Sequence, residues 1–258
     1  MFKFLIAVLL TSVSISNGQD TTIYEYEITY NLGSPLKKTG YLFQYGDNIY
    51  FNTTPTVFLK NKLRDELEFD FGDDKINLTS YGNGSEYCFY NIEEHYRLTT
   101  SSYPDEVVLV SETNFDQEWI ATNRFKTLDS ISYPIFETHF RGRYYEAAVN
   151  KAISFSHGPW KFNSLPGLPV EIIDKTLQLS WKLKGVTNVN SSEIDNMVLF
   201  ITENVEEFRI IDIKEHVAEM DRTRGGFDTA IELLPEKYTN VNRPPYIRGG
   251  LELVYEWE

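Results

Sequence analysis

Ser156–Ile173 reads SHGPWKFNSLPGLPVEII, and no other part of the chain is so constrained. Pro166 and Gly167 stand at the two central positions of a four-residue turn, Leu165 to Leu168. Proline presets φ near −65° and glycine accepts the positive φ of a type II turn, so a type II turn is the expectation. Pro166 and Pro169 also push the residues before them, Leu165 and Leu168, out of the helical region. Trp160 and Phe162 flank Lys161, so an extended backbone would place both rings on one face with the lysine opposite. Val170, Ile172 and Ile173 begin a strand-like run. The stretch reads either as a rigid crossover whose aromatic rings plug a core or as the rim of a ligand pocket.

Short alternating runs surround it on both sides. Tyr24, Tyr26, Ile28 and Tyr30 share one face, with Glu25 and Glu27 on the other. Tyr41–Tyr45 and Ile49–Phe51 flank Gly46-Asp47-Asn48, a hairpin signal. Leu67–Phe71 and Lys75–Thr79 flank Gly72-Asp73-Asp74, and Asn83-Gly84 precedes Glu86–Ile92. His95–Thr100, Glu106–Glu112, Glu118–Phe125, Pro134–Phe140, Arg143–Val149, Ala152–Ser156 and Met197–Thr202 each read as strands. Leu177, Leu179, Trp181 and Leu183 form the clearest period-two run, and Leu251–Glu258 reads as a terminal strand. One helix is expected: Asp212 and Glu215 have capping-box spacing, Ile213, Val217 and Met220 share a face, and Gly225-Gly226 closes it. The fold class is mainly β: a curved antiparallel sheet, half-barrel or sandwich-like, with one or two short helices.

Met1–Gly18 carries one basic residue, Lys3, then the apolar run Phe4–Val13 and small residues at Ser16 and Gly18. This is the pattern of a secretory signal peptide, too short to anchor in a bilayer. Residues 1–18 are read as the signal and 19–258 as a single β-rich domain, exported to the periplasm or cell surface. The chain has 24 Lys and Arg against 38 Asp and Glu, a formal charge of −14, and no basic stripe. Such a balance repels polyanions, so no nucleic-acid partner is expected. The alternating runs repeatedly place Glu, Asp or Lys on the face a membrane barrel would turn to lipid, so no membrane insertion is expected either.

Gly158-Pro159-Trp160-Lys161-Phe162, followed by Leu165-Pro166-Gly167-Leu168, resembles the signature of the GLPGLI family of exported Bacteroidetes proteins. Upstream, Gly142-Arg143-Tyr144-Tyr145-Glu146-Ala147 resembles the Gly-Arg-x-Tyr-x-Ala stretch of that family, so the resemblance covers about Ile135 to Ile173. Ser164, Pro169 and Ala148 depart from the family pattern, as does the stretch around Thr138, where the family often places a cysteine upstream of the Gly-Arg pair. The resemblance implies a mainly β envelope protein of unknown activity. It supplies no catalytic residues, only motif positions: Gly142, Arg143, Tyr145, Gly158, Pro159, Trp160, Lys161, Phe162, Leu165, Pro166, Gly167 and Leu168.

The residues point to no catalytic chemistry. Cys88 is the sole cysteine, which excludes an intrachain disulfide, and it reads as a buried thiol. His95, His139, His157 and His216 lack metal-site spacing, and no metal or other cofactor is implied. Glu93-Glu94-His95 reads as a solvated edge. His157, fixed beside the turn, is the histidine of most interest. The 17 Tyr, 17 Phe and 4 Trp exceed what a modest sheet needs for its core. The leading expectation is therefore a non-enzymatic binding or carrier protein for an apolar or peptide ligand. The alternatives are an interaction protein docking onto an outer-membrane partner and, behind it, an unrecognised hydrolase.

Overall fold

A computed structural model describes residues 21–32, 34–53, 64–70, 75–81, 87–103, 106–113, 115–190, 194, 208–223, 228 and 247–258. Its strands are β1 (Thr21–Leu32), β2 (Ser34–Tyr45), β3 (Asn48–Asn52), β4 (Arg64–Asp70), β5 (Lys75–Tyr81), β6 (Tyr87–Asn91) and β7 (Tyr96–Ser102). They continue with β8 (Val107–Thr113), β9 (Ile120–Leu128), β10 (Ile131–Phe140), β11 (Arg143–Asn150), β12 (Leu168–Asp174), β13 (Leu179–Val189) and β14 (Ile210–Asp212). A helix, α1, spans Ile213–Arg222.

Twelve strands form one sheet in the order β14-β8-β7-β6-β3-β2-β1-β13-β12-β11-β10-β9, while β4 and β5 pair separately. Every neighbouring pair is antiparallel except β14 with β8. The fold is the expected mainly β class, with an open sheet. In a flat sheet the nine strand spacings between β8 and β10 would separate them by about 43 Å. Yet Arg141, in the turn after β10, bonds directly to Glu112 on β8. The sheet is therefore curled until its two ends meet through side chains. Register shifts at Glu25/Tyr26, Pro134/Phe136 and Ala148/Val149 supply local bends of the kind that increase curvature.

Alternation decides which side chains face inward. Tyr24, Tyr26, Ile28 and Tyr30 are buried while Glu25 and Glu27 are half-exposed, as the period-two pattern requires. They join Leu179 and Trp181 of β13, Tyr145, Ala147 and Val149 of β11, and Trp160, Phe162, Leu165 and Leu168 in one core on the inner face. The opposite face of β1–β3 and β6–β8 buries Ile23, Phe43, Tyr50, Phe89, Leu98 and Leu109 in a second core. Helix α1 closes a third, packing Ile213 and Val217 on Val108 and Val110. Asp212 caps it as expected, its carboxylate accepting from the Lys214 amide at 2.8 Å.

Several readings change. The run around Trp181 begins at Leu179, because Leu177 sits in the β12–β13 turn at φ +59° with 69% of its surface exposed. Ala152–Ser156 forms no strand: a turn and bend at Ala152 and Ile153 lead into irregular backbone. Leu251–Glu258 also forms no strand: its acidic residues turn to buried cations instead of lining a ladder. The Gly72–Asp74 and Asn83-Gly84 turns, Met197–Thr202, Gly225-Gly226 and Met1–Gly18 lie outside the described residues.

Candidate functional site

The motif stretch folds back on itself. The Gly158 amide donates to the Phe162 carbonyl at 2.8 Å, and the Leu165 amide to the Ser156 carbonyl at 2.9 Å, leaving Pro159-Trp160-Lys161 as the tip. Trp160 and Ser164 take left-handed φ values of +56° and +57°, which cost non-glycine residues about 1–2 kcal/mol each. The extended reading of Trp160–Phe162 is thus wrong. The Lys161 carbonyl accepts from Arg97 at 2.8 Å and from Gln117 at 3.0 Å, and these bonds hold the tip in place. Lys161 itself is buried rather than turned to solvent.

The type II turn is not formed either. The Leu168 amide donates to the Ile153 carbonyl at 3.3 Å, not back across the turn. Gly167 has φ +158°, and a Cβ there would stand 2.5 Å from the Asn150 carbonyl oxygen. Glycine is required because two backbones touch, more than for a turn type. Pro166 is exposed and Pro159 buried.

Both rings nonetheless point inward. Phe162 is 1% exposed and lies 4.9 Å from the Tyr145 ring and 5.1 Å from Trp181, edge to face with each. Trp160 stacks on Trp181 at 5.9 Å with the planes 8° apart. Leu165 and Leu168 complete this plug. Gly142, at φ +77°, and Arg141, at φ +53°, form the two-residue turn joining β10 to β11. Arg143 points away from the plug's tip: it donates to Asp174 and Gln178 at 3.2 Å and to the Gly250 carbonyl at 2.6 Å.

Around the lysine lies a buried set of charges that the sequence reading did not single out. Glu112 accepts from Arg97 at 2.6 and 3.1 Å and from Arg141 through its other oxygen. Lys161 donates to both oxygens of Glu252 at 2.8 and 2.9 Å. The Arg141 Nε atom lies 3.5 Å from Glu252 and 3.2 Å from Glu256. Three buried cations thus face the buried Glu112, the largely buried Glu252 and the half-exposed Glu256. Burial pulls the Lys161 ammonium down to about 8 against the opposing influence of Glu252. Burial would raise Glu252, but Lys161 and Arg141 hold it below the usual carboxylate range.

Beside this set is a cavity of about 170 Å³, walled by Phe51, Thr99, Thr100, Trp160, Lys161, His216 and Glu252 among others. Helix α1 delivers His216, whose Nδ1 lies 2.7 Å from the Tyr103 hydroxyl. Cys88 also lines the cavity, and burial pushes its thiol up to about 11, where it is inert as a nucleophile. His157 does not line this cavity; it lies 4.6 Å from the Tyr90 ring, with Ser156 Oγ 3.3 Å from its Nδ1. His95 bonds the same Tyr90 through its hydroxyl at 2.9 Å. Glu93, Glu94 and His95 form the exposed β6–β7 turn. Among the described residues no three His, Cys, Asp or Glu side chains converge as a metal ligand set. No described helix is long and apolar enough to cross a membrane.

Burial holds both His157 and His216 at about 4, below their ordinary 6.5; Arg97 reinforces it for His157 and Lys161 for His216. Between those values the unfolded chain binds protons that the folded chain refuses, so stability rises with pH there. It is present in full above 6.5 and is lost as pH falls toward 4. Urea titrations from pH 7 to 4 should show an uptake on unfolding of between one and two protons near pH 5, since both rings are partly screened by solvent. Replacing both histidines by glutamine should flatten that slope; an unchanged slope would assign it to carboxylates.

The fold and site define an open, curled β protein with a plugged interior, a buried charge set and a small adjoining cavity. No family model matches the chain, and no curated protein matches it. Among solved structures it is similar to PNGF-II in a C2 crystal form, with a TM-score of 0.52 at 14% identity over 80% of this chain. A second PNGF-II crystal form, P21, gives 0.49 at 13% identity over the same share. The chain spans 34% of the length of those chains. At such identity the likeness is one of fold alone.

Proposed function

We propose that the chain is an exported binding module that holds a compact polar group in the cavity between Trp160-Lys161 and His216. The observation that carries this reading is the cavity itself. At about 170 Å³ it is smaller than the ~300–1,000 Å³ of pockets for drug-sized ligands, but it admits one or two side chains of a peptide. Its walls pair hydroxyls of Thr99, Thr100 and Ser101 with a lysine, a carboxylate and a histidine, over apolar Phe51 and Trp160. The balanced charges favour a group that is neutral or carries both signs. Of the two ligand classes expected from sequence, the size favours a peptide over a lipid, because the rest of the inner face is filled by Phe162, Leu165 and Trp181.

Export rests on Met1–Gly18, and membership of the GLPGLI family on Gly158–Phe162 and Leu165–Leu168; both belong to this proposal. A second reading, an interaction protein docking onto an outer-membrane partner, draws support from the filled interior and from exposed Ile120 and Phe125 on the edge strand β9. The hydrolase reading has least support: Arg143 is engaged by Asp174 and Gln178, His157 by Ser156 and Tyr90, and they share no partner. Native mass spectrometry of protein isolated from its own envelope tests the module. A stoichiometric adduct lost in a Trp160→Ala variant supports it. A bare mass, with no thermal shift from any compact polar probe, favours docking.

A further inference from the structure

Residues 247–258 strap across the β10–β11 turn without joining the sheet. Their backbone contacts there are the Leu253 amide to the Arg141 carbonyl at 2.9 Å, the Val254 amide to the same oxygen at 3.4 Å, and the Gly250 carbonyl with Arg143. The remaining attachment is through side chains. Glu252 meets Lys161 and Arg141, Glu256 meets Arg141, and the Tyr255 ring lies 4.5 Å from the Arg141 guanidinium carbon. Tyr255 also packs in the third core and Leu251 against the first, and Arg248 pairs with Asp221 of α1. This is how a docked peptide is held: acidic anchors on a cationic groove, with apolar side chains seated beside them.

Removing the strap would leave Arg97, Arg141 and Lys161 with Glu112 as their one carboxylate, a net charge of about +2 on the groove so uncovered. Arg141 is also imperfectly satisfied with the strap in place. It is 1% exposed, and neither its NH1 nor its Nε has a hydrogen-bond acceptor among the described residues. A vacated groove of that charge demands an acidic replacement.

We infer that this groove is a receptor for an extended acidic peptide with two carboxylates four residues apart and an aromatic residue just before the second. Glu252, Tyr255 and Glu256 are its resident occupant in cis. The inference rests on the binding-module reading above: with the strap in place Glu252 walls the cavity and balances Lys161, and with the strap lifted that balance is lost and the ligand favoured becomes an acidic, aromatic segment.

The test uses a fluorescein-labelled peptide GGLELVYEWE, matching 249–258, against the full chain and a full-chain variant with Glu252→Gln, Tyr255→Ala and Glu256→Gln. Freed of its cis competitor, the variant should bind the peptide at least about tenfold tighter than the native chain does. A peptide with glutamine at both anchor positions should lose that gain, as should an added Arg141→Gln. Equal binding by both chains, or binding indifferent to the anchor carboxylates, overturns the inference. If the variant does not fold, hydrogen exchange on the native chain decides. The Leu253 amide should open far more easily than the β1–β13 ladder, and exchange only through global unfolding would make the strap core. An envelope-derived adduct without peptide binding by a folded variant leaves the module standing and removes this inference. Absence of both removes both.

Discussion

Glu112→Gln should lower the unfolding free energy by about 3–5 kcal/mol, the cost of removing one partner from a buried ion pair. Glu112 is 1% exposed and is bonded to two guanidinium groups, Arg97 through one oxygen and Arg141 through the other. Glutamine keeps the shape but offers one acceptor oxygen, and its amide nitrogen meets a donor. Two buried cations are then left short of a counter-charge. Against a total stability of about 5–15 kcal/mol, that loss is large. Urea unfolding should show a shifted midpoint with an unchanged slope, because the surface exposed on unfolding is the same. Added salt should restore little, since ions do not screen a pair from which solvent is excluded. Arg97→Met alone should also destabilise, yet combining it with Glu112→Gln should cost clearly less than the sum, because each change relieves the other. A single substitution costing under about 1 kcal/mol would mean that water reaches the cluster and that its charges behave as a surface pair.

The cluster also marks where sequence reasoning stops. Alternation placed Tyr26, Ile28 and Trp181 inside because a strand's period is a local property. Asp212 was legible as a cap because its partner, the Lys214 amide, is two residues away. Arg97 and Glu112 are opposite each other on β7 and β8, so their pairing is a matter of register. Their meeting with Arg141 and Lys161 depends on the curl of twelve strands, which no local pattern reports. The single visible trace is Glu112, which follows Val108 and Val110 on one face of β8; Arg97 shares its face with Thr99 and Ser101 and gives no such signal. The strap was misread for a related reason. Leu251–Glu258 alternates apolar and acidic residues like a strand, but Glu252 and Glu256 follow the cations at the sheet's seam. The motif stretch was legible as important and wrong in shape. Proline and glycine announced rigidity, while the conformation adopted is set by contacts to Arg97, Gln117 and Asn150, all distant in sequence.

Phe162→Ala should cost about 3–5 kcal/mol, the range for deleting a buried aromatic ring from a core that cannot collapse around the gap. The ring is 1% exposed and touches rings on every side: Tyr145, Trp181, Trp160 at 5.3 Å and Trp119 at 6.0 Å. Trp160 and Trp181 stack on each other beside it, and Tyr145 and Trp181 are both fully buried, so relaxation would have to move residues anchored in β11 and β13. Phe162→Leu refills part of the space and should cost under about 1.5 kcal/mol. The near-ultraviolet circular dichroism of the tryptophan pair should fall in the alanine variant well below its thermal transition. Pro166→Ala, at an exposed bend, should stay within about 0.5 kcal/mol of the native chain. This pair of substitutions separates the two roles first open to the motif. A plug carries stability through Phe162 whether or not any ligand is present. A rim would leave the empty protein's stability nearly unchanged in Phe162→Ala and weaken ligand retention instead. The ring contacts make stability the quantity that moves, with retention depending on Trp160 and Lys161 at the cavity wall.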